Sequence, residues 1–210
     1  MKNNTTALVT TLSAREATWD SIGAGINTSK FDEALAECGL DFTASMSPAM
    51  ATMPDGLLTR IPNTNAVVGT DNKIHGVVSD AYHIIQNREA FDFAQYITDD
   101  LTFLRGGETE TGLNYLIAAL PSIKVLGDEI TPHLIFQNSC NKKDICKAAI
   151  YPLRIVCQNQ FNVAFRSAEN AVCIRHSRTA AEKLEQAKAT MATASAYMVE
   201  FSKLAEKFAT

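Results

Sequence analysis

The most informative pattern of apolar and polar positions lies at residues 150–177, IYPLRIVCQNQFNVAFRSAENAVCIRHS. Here an apolar run meets a Gln-Asn pair, a short amphipathic segment and a second apolar run. The apolar run that ends at Cys157 has the pattern of a mostly buried strand. The segment 159–167 then places its apolar groups on about one helical face, and a second apolar run ends at Arg175-His176. The pattern predicts a strand, a short helix and a further strand.

Positions earlier in the chain predict two more helices and a series of strands. Spacings of three and four residues predict helices at 30–38 and 87–100, with Ser29 and Asn87 as their N-caps and Gly39 as the left-handed end of the first. Apolar runs predict strands in LLTRI, AVVG, KIHGVVS, YHII, LNYLIAALP, HLIFQN and KAAIYPLRIVC. A TDN tip predicts a hairpin, whereas SMSPAMATMPDG predicts a loop and LRGGETETG a turn-rich connection.

The C-terminal segment has the most regular pattern and predicts a long helix at 179–208. Thr179 and Glu182 have the spacing of a capping box at its start. Steps of four and three residues continue over about four heptads, which is the pattern of an a/d seam. The seam consists of Ala180, Leu184, Ala187, Met191, Ala194, Met198, Phe201, Ala205 and Phe208. Because the helix would be as long as a domain is wide, we expect a partner chain to cover part of the seam.

Together these elements predict an α+β fold, a curved antiparallel sheet of five to seven strands with packed helices and a long C-terminal helix. We expect a loosely ordered lead-in at 1–28, an α+β core domain at 29–177 and the long helix at 178–210. The chain ends on Phe-Ala-Thr without a glycine cap or polar tail, which is compatible with continuation in a longer natural protein.

Amino-acid composition restricts the class of protein and its expected location. The 210 residues are 46% hydrophobic and 20% charged, as in an ordinary globular protein. The sequence contains no run of about 18 apolar residues, so it predicts no membrane span. The N-terminus lacks the pattern of a secretory signal. We therefore expect a cytoplasmic protein without membrane contact, in which most of the five cysteines are buried thiols. A net charge of −4 argues against a strongly basic coat but leaves room for a local basic groove.

The chain shows no motif of known catalytic mechanism. It has no zinc-spaced His and Cys residues, no phosphate-binding P-loop and no dinucleotide-binding glycine pattern. We therefore expect no enzyme and no cofactor or metal. A weaker alternative is a metal-dependent nuclease that uses Asp80, Glu108 and Glu110.

Arginine, glutamine and asparagine residues recur at the predicted ends of elements. Guanidinium groups and helix N-termini together suit phosphate contacts. The candidates for nucleic-acid binding are Arg88, Arg154, Gln158, Asn159, Arg166, Arg175 and His176. The competing interpretation is that Asn87 and Asn159 only cap helices, and that Arg154 and Arg175 pair with carboxylates such as Asp80 or Glu169.

Four blocks along the chain are EALAECGLDF, GVVSDAYHIIQNREAFDF, PLRIVCQNQFNVAF and IRHSRTAAEKLEQA. In these blocks, over roughly residues 31–200, the chain resembles the DUF932 family of phage- and plasmid-encoded proteins. The LRGGETETGLNYLIAAL region departs from the family's aromatic-rich form. The function of that family is unassigned. The residues that match its motifs are Tyr82, Asn87, Pro152, Arg154, Cys157, Asn159, Arg175 and His176.

The order of elements is also distantly similar to that of Rad52-like single-strand annealing proteins. This analogy implies an ATP-independent protein of a phage or plasmid that binds and anneals single-stranded DNA as a homo-oligomer, in recombination of a mobile element. The alternative is a non-enzymatic phage protein that binds a host defence protein.

Overall fold

The computed structural model describes residues 24–92, 95, 98, 100–109, 111–125, 128–141, 145–151 and 171–189. The helices are α1 (Phe31–Glu37), α2 (Asn87–Phe91) and α3, which covers residues 180–189. The strands are β1 (Ala24–Thr28), β2 (Ala44–Thr52), β3 (Leu58–Gly69), β4 (Ile74–Val78), β5 (Thr102–Glu108), β6 (Leu113–Ala119), β7 (Ile123–Val125), β8 (Asp128–Ile130), β9 (His133–Ser139), β10 (Cys146–Tyr151) and β11 (Val172–Ile174).

Most strands belong to two antiparallel sheets. Six form one sheet in the order β1-β5-β6-β9-β10-β11, three form a second in the order β2-β3-β4, and β7 pairs with β8. Every pairing is antiparallel. The predicted α+β class and the antiparallel sheet are therefore confirmed.

The main core lies between the three helices and one face of the six-stranded sheet. Alternate residues of a strand point to the same face, so every second residue of the central strands reaches this core. The strand residues in it are Phe103, Leu116, Ala118, Leu134, Phe136, Cys146, Ala148 and Ile174. Phe31 of α1 lies with its ring centroid 6.0 Å from that of Phe103, and Phe91 of α2 lies 5.9 Å from Phe136.

Helix α1 confirms the helix predicted at 30–38 and its glycine end. Gly39 has φ of 64°, its N–H donates to Ala36, and the Leu40 N–H donates to Leu35 at 2.8 Å, which is a Schellman end. The predicted Ser29 cap is wrong. Lys30 is the N-cap, and its backbone N–H donates to the Thr28 hydroxyl at 3.1 Å.

Three segments that were expected to be irregular are strands. Residues 24–28 of the predicted lead-in form β1, which pairs with β5 at the sheet edge. The stretch LRGGE belongs to β5 rather than to a turn. A Cβ on Gly106 would lie 2.8 Å from Cys38 Sγ and 2.9 Å from Leu116 Cδ1, so this glycine allows close packing inside the strand.

The third misassigned segment is the predicted loop SMSPAMATMPDG, which supplies β2 and the tip of a long hairpin. Its outer part, residues 48–62, is called the β2–β3 arm below. The run YHII, expected as a strand, is irregular and leads into α2. The TDN turn is confirmed between β3 and β4, where Asn72 has φ of 61°.

Helix α3 begins after Thr179, as the predicted capping box requires. Ala180, Leu184 and Ala187 are buried in the main core, so the first part of the seam packs against the chain itself. The rest of the predicted seam, the predicted helix at 159–167 and residues 93, 94, 96, 97 and 99 of the helix predicted at 87–100 lie outside the described residues.

Candidate functional site

The connection from β11 to α3 holds two of the predicted site residues, Arg175 and His176. Ile174 ends β11 and is buried, which anchors the connection on one side, while Ala180 anchors it on the other. The backbone N–H of Ser177 donates to the Arg175 carbonyl at 2.8 Å, and that of Ala180 donates to the Ser177 carbonyl at 2.9 Å. This tight turn delivers the chain directly into the first turn of α3.

His176 is a packing residue in this turn. Its ring stacks on Tyr82 with centroids 5.0 Å apart, and its Nδ1 lies 3.2 Å from the His83 carbonyl oxygen. Burial lowers the pKa of His176 to about 4, so the ring is neutral and donates from Nδ1 to His83. A neutral histidine adds no charge to a phosphate site. The stack instead joins two stretches of the chain that resemble separate blocks of the same family.

Tyr82 is held from both ends. Its hydroxyl donates to the Ser139 carbonyl at 2.9 Å, and burial raises the pKa of the phenol. The His176–Tyr82–Ser139 chain of contacts therefore fixes the β11–α3 connection relative to the end of β9.

Three cations near this connection have no carboxylate partner among the described residues. Arg175, Arg178 and Lys183 are all exposed, and they lie in a stretch of nine residues that includes the start of α3. Other described cations are neutralised, as in the ion pairs Lys30–Glu33, Arg60–Asp80, Lys73–Asp71 and Lys188–Asp92. In the part of the chain that the structure describes, unpaired positive charge is therefore concentrated here.

Arg88 lies in a different electrostatic environment. Its guanidinium group pairs with Asp32 and lies 6.0 Å from the centroid of the Phe31 ring, so it connects α2 to α1. It also lines a groove of about 700 Å³ between α2 and α3. The charged residues that line this groove are Arg88, Lys188, Glu89, Asp92, Glu182 and Glu185. Four carboxylates against two cations disfavour a phosphate there.

Asn87 is buried and structural, and it is not the N-cap of α2, which is Gln86. Its Nδ2 donates to the Leu40 carbonyl at 3.3 Å, and its Oδ1 accepts from Asn138 Nδ2 at 3.0 Å. The Asn138 amide also donates to the Ile85 carbonyl at 2.9 Å. This network connects the chain before α2 to the centre of the six-stranded sheet.

A buried histidine that sequence reasoning did not select connects the two sheets. His75 of β4 places Nε2 3.0 Å from Asp71 Oδ1 and Nδ1 3.0 Å from Glu108 Oε1 of β5, and its ring stacks on Phe42 at 3.9 Å. Burial alone would lower the pKa of His75, but the bonds to Glu108 and Asp71 outweigh it and raise that pKa. The spacing of four between Asp71 and His75 was the available sequence signal, and Glu108 is distant in sequence.

The two described carboxylates of the nuclease alternative have other partners. Asp80 accepts from Asn65 Nδ2 at 2.6 Å, Glu108 bonds to His75, and Glu110 lies outside the described residues. Among the residues that the structure describes, no group of three or more His, Cys, Asp or Glu side chains has the arrangement of a metal site.

The remaining predicted site residues and two motif residues lie outside the described part of the chain. They are Arg154, Gln158, Asn159, Arg166, Pro152 and Cys157. Of the predicted set, the structure therefore brings together Arg175, His176 and Tyr82, and it separates Asn87 from them.

The protein is an α+β protein of antiparallel sheets. Its β11–α3 connection is held at the end of β9 by the contacts of His176 with Tyr82 and of Tyr82 with Ser139. The chain belongs to the DUF932 family, described as a domain of unknown function, whose model matches residues 74–210. No curated protein and no solved structure matches the chain, so the similarity to Rad52-like proteins is not confirmed. Among the described residues, no helix has the length and apolar character to cross a membrane.

Proposed function

We propose that the protein binds single-stranded DNA through phosphate contacts at the β11–α3 connection, as an oligomer of a phage or plasmid protein that promotes annealing without ATP. The observation that supports this proposal is the group of exposed cations Arg175, Arg178 and Lys183, which have no carboxylate partner within the described part of the chain. Guanidinium groups bind phosphate in a bidentate manner, and the N-terminus of α3 adds a favourable dipole.

The number of charges explains why assembly belongs to the proposal. Three phosphate contacts on a single strand correspond to a salt slope of about −2, which is weak binding for one chain. Several copies that present the same connection to one strand would multiply these contacts. A protein with a net charge of −4 would then bind DNA through a local basic strip rather than through its overall charge.

Annealing also needs no catalytic group, because base pairing supplies the specificity. The protein would hold the backbone and leave the bases free to pair. We therefore expect binding that depends strongly on salt and weakly on base sequence.

The test is fluorescence anisotropy of a labelled oligothymidine at about 50 mM and about 200 mM salt. Arg175→Ala, Arg178→Ala and Lys183→Ala should each reduce the salt slope by about 0.7. Lys30→Ala is the matched control, because Lys30 is also exposed to solvent but is paired with Glu33. If the wild-type chain does not bind at about 50 mM salt, the DNA proposal fails and binding to a host protein becomes the better hypothesis.

A further inference from the structure

The three-stranded sheet exposes an unusual amount of apolar surface. On the β2–β3 arm, Leu57 and Leu58 are 66% and 67% exposed, and Met50 and Met53 are 49% and 44% exposed. The arm carries one acidic and one basic residue, Asp55 and Arg60. It therefore has neither a charged coat nor a strong net charge that would repel an identical surface.

A second exposed apolar area lies on the outer face of the same sheet. Residues paired across antiparallel strands share a face, so Ser47, Ala66 and Val77 form one row across β2, β3 and β4. Ile74 and Val77 of β4 are 70% and 58% exposed, while the β2 side of this face is lined by small serines. The face is thus a shallow trough with one apolar wall.

One of the two serines in this trough would keep its hydrogen bond on being covered. The hydroxyl of Ser45 already donates to the Val68 carbonyl at 3.4 Å, so an apolar neighbour would not leave it without a partner. The central residues of the trough, Ala66 and Val68, are half-buried and present no charge.

We propose that the arm of one copy packs on the outer face of the three-stranded sheet of a second copy, reciprocally about a two-fold axis. A second copy is the occupant that the surface itself indicates, because each chain exposes both an apolar arm and an uncharged trough with one apolar wall. A reciprocal exchange covers both surfaces on both chains at once.

The dimensions fit this exchange. The β2 half of the arm, residues 48–52, reaches roughly 17 Å beyond the shared part of the sheet at about 3.3 Å per residue. Seven large apolar side chains between 38% and 70% exposed lie on the arm and on the outer face of the sheet. Together they offer several hundred Å², on the order of the 800 Å² that each partner buries in a standard interface.

The edge of β2 argues for packing between faces rather than for a continuous intermolecular sheet. Pro48 lacks an N–H donor, and the register of β2 against β3 shifts between Pro48 and Met50. Both features interrupt edge-to-edge pairing. The methionines on the arm suit a face-on contact, because their flexible side chains fill irregular gaps.

This inference deepens the oligomeric part of the proposed function but rests on residues remote in sequence from Arg175 and Arg178. It is therefore tested without DNA, by light scattering of the full chain across a concentration series. The wild type should approach twice its 22.9 kDa mass. The arm variant Leu58→Asp and the face variant Val77→Asp should remain monomeric, with circular dichroism unchanged because both sites are exposed, and their melting temperature should no longer depend on protein concentration. Ser29→Asp is the control that adds the same charge elsewhere and should still dimerise.

Mixing the two variants tests the geometry. The arm variant keeps an intact face and the face variant keeps an intact arm, so their mixture should regain one of the two contacts and associate more strongly than either alone. A mixture that stays monomeric overturns the reciprocal exchange. A wild type that is monomeric at every concentration, or charged variants that still dimerise, overturns the interface itself. A monomeric variant that binds DNA with the wild-type salt slope would support this interface and would overturn the claim that DNA binding depends on it.

Discussion

His75 places both ring nitrogens against carboxylates, and a neutral imidazole cannot donate from both. The arrangement therefore favours the imidazolium, which bridges Asp71 and Glu108 and so links the three-stranded sheet to the six-stranded one. Its side chain is 1% exposed, whereas the two carboxylates retain partial contact with water. Water at the carboxylates limits the desolvation cost of the pair, which is why a buried charge can stabilise here.

Replacing His75 by Gln should therefore destabilise the protein in a pH-dependent way. The pKa of His75 is raised above its ordinary value of 6.5, so its contribution is full below that pH and is lost as the pH rises through the folded-state pKa. We expect a loss of about 2 kcal/mol near pH 6 that shrinks toward pH 9. Urea unfolding of both chains at several pH values measures it, and a loss that grows toward pH 9 would contradict the imidazolium.

Two neighbouring buried asparagines should respond in opposite ways to the same substitution. Asn138 bonds to Asn87 and to the Ile85 carbonyl, so Asn138→Leu leaves buried partners unpaired and should cost about 2–3 kcal/mol. Asn114, which pairs with it across β6 and β9, has no hydrogen-bond partner for its side chain among the described residues. Asn114→Leu should therefore be neutral or stabilising. Equal losses in urea unfolding would show that Asn114 is also satisfied, for example by internal water.

Helix α3 carries two lysines in different environments. Lys188 forms ion pairs, whereas Lys183 has no carboxylate partner among the described residues. Lys188 bonds to Asp92 at 3.1 Å and to Glu185 at 2.8 Å, and only 14% of its side chain is exposed. Burial alone would lower its pKa, but the bonds to Glu185 and Asp92 outweigh that and raise it. Lys188 therefore ties α3 to the C-terminal end of α2.

Lys188→Met should lower the free energy of unfolding by about 1–2 kcal/mol, because it leaves Asp92 without its cation. Lys183→Met on the same helix is the matched control and should change stability by less than about 0.5 kcal/mol. Thermal and urea unfolding of the two variants compare them directly. Equal effects would mean that the Lys188 pair contributes nothing net.

At the level of elements, the sequence predicted what local chemistry determines. Gly39 marked the end of α1 because a left-handed residue is needed there, and the apolar alternation located β6, β9 and β10. The β2 half of the arm and β5 were missed because proline, methionine and paired glycines usually indicate irregular chain. Position 106 of β5 is a glycine because Cys38 and Leu116 leave no room for a side chain there. This requirement comes from tertiary packing, which a local sequence pattern does not contain.

At the scale of the whole molecule, features that depend on local sequence were again predicted, and features that depend on tertiary contacts were not. The fold class and the family followed from patterns spread over the chain, and Arg175 was correctly expected at the end of the last predicted strand. The grouping of charges did not follow, because Asp32 neutralises Arg88 and burial keeps His176 neutral. Both effects depend on residues that are far apart in sequence.

Burial predicts a gradient of local stability across the molecule. Strand β9 is buried along its whole length, whereas the β2–β3 arm is exposed along most of its length. Amides in residues 48–62 should exchange with deuterium at least about tenfold faster than those of β9. Hydrogen-exchange mass spectrometry at the lowest usable protein concentration tests this. Protection of the arm equal to that of β9 in a monomeric sample would contradict it.

The pairing of β1 with β5 has a consequence for synthesis on the ribosome. Strand β1 ends at Thr28, and its partner begins only at Thr102. At roughly 5–20 residues per second, the first strand waits several seconds before its neighbour emerges. During that interval a hydrophobic strand would be a hazard, but AGINT is short and mostly polar or small. The six-stranded sheet therefore closes this edge late, with a strand whose composition suits the delay.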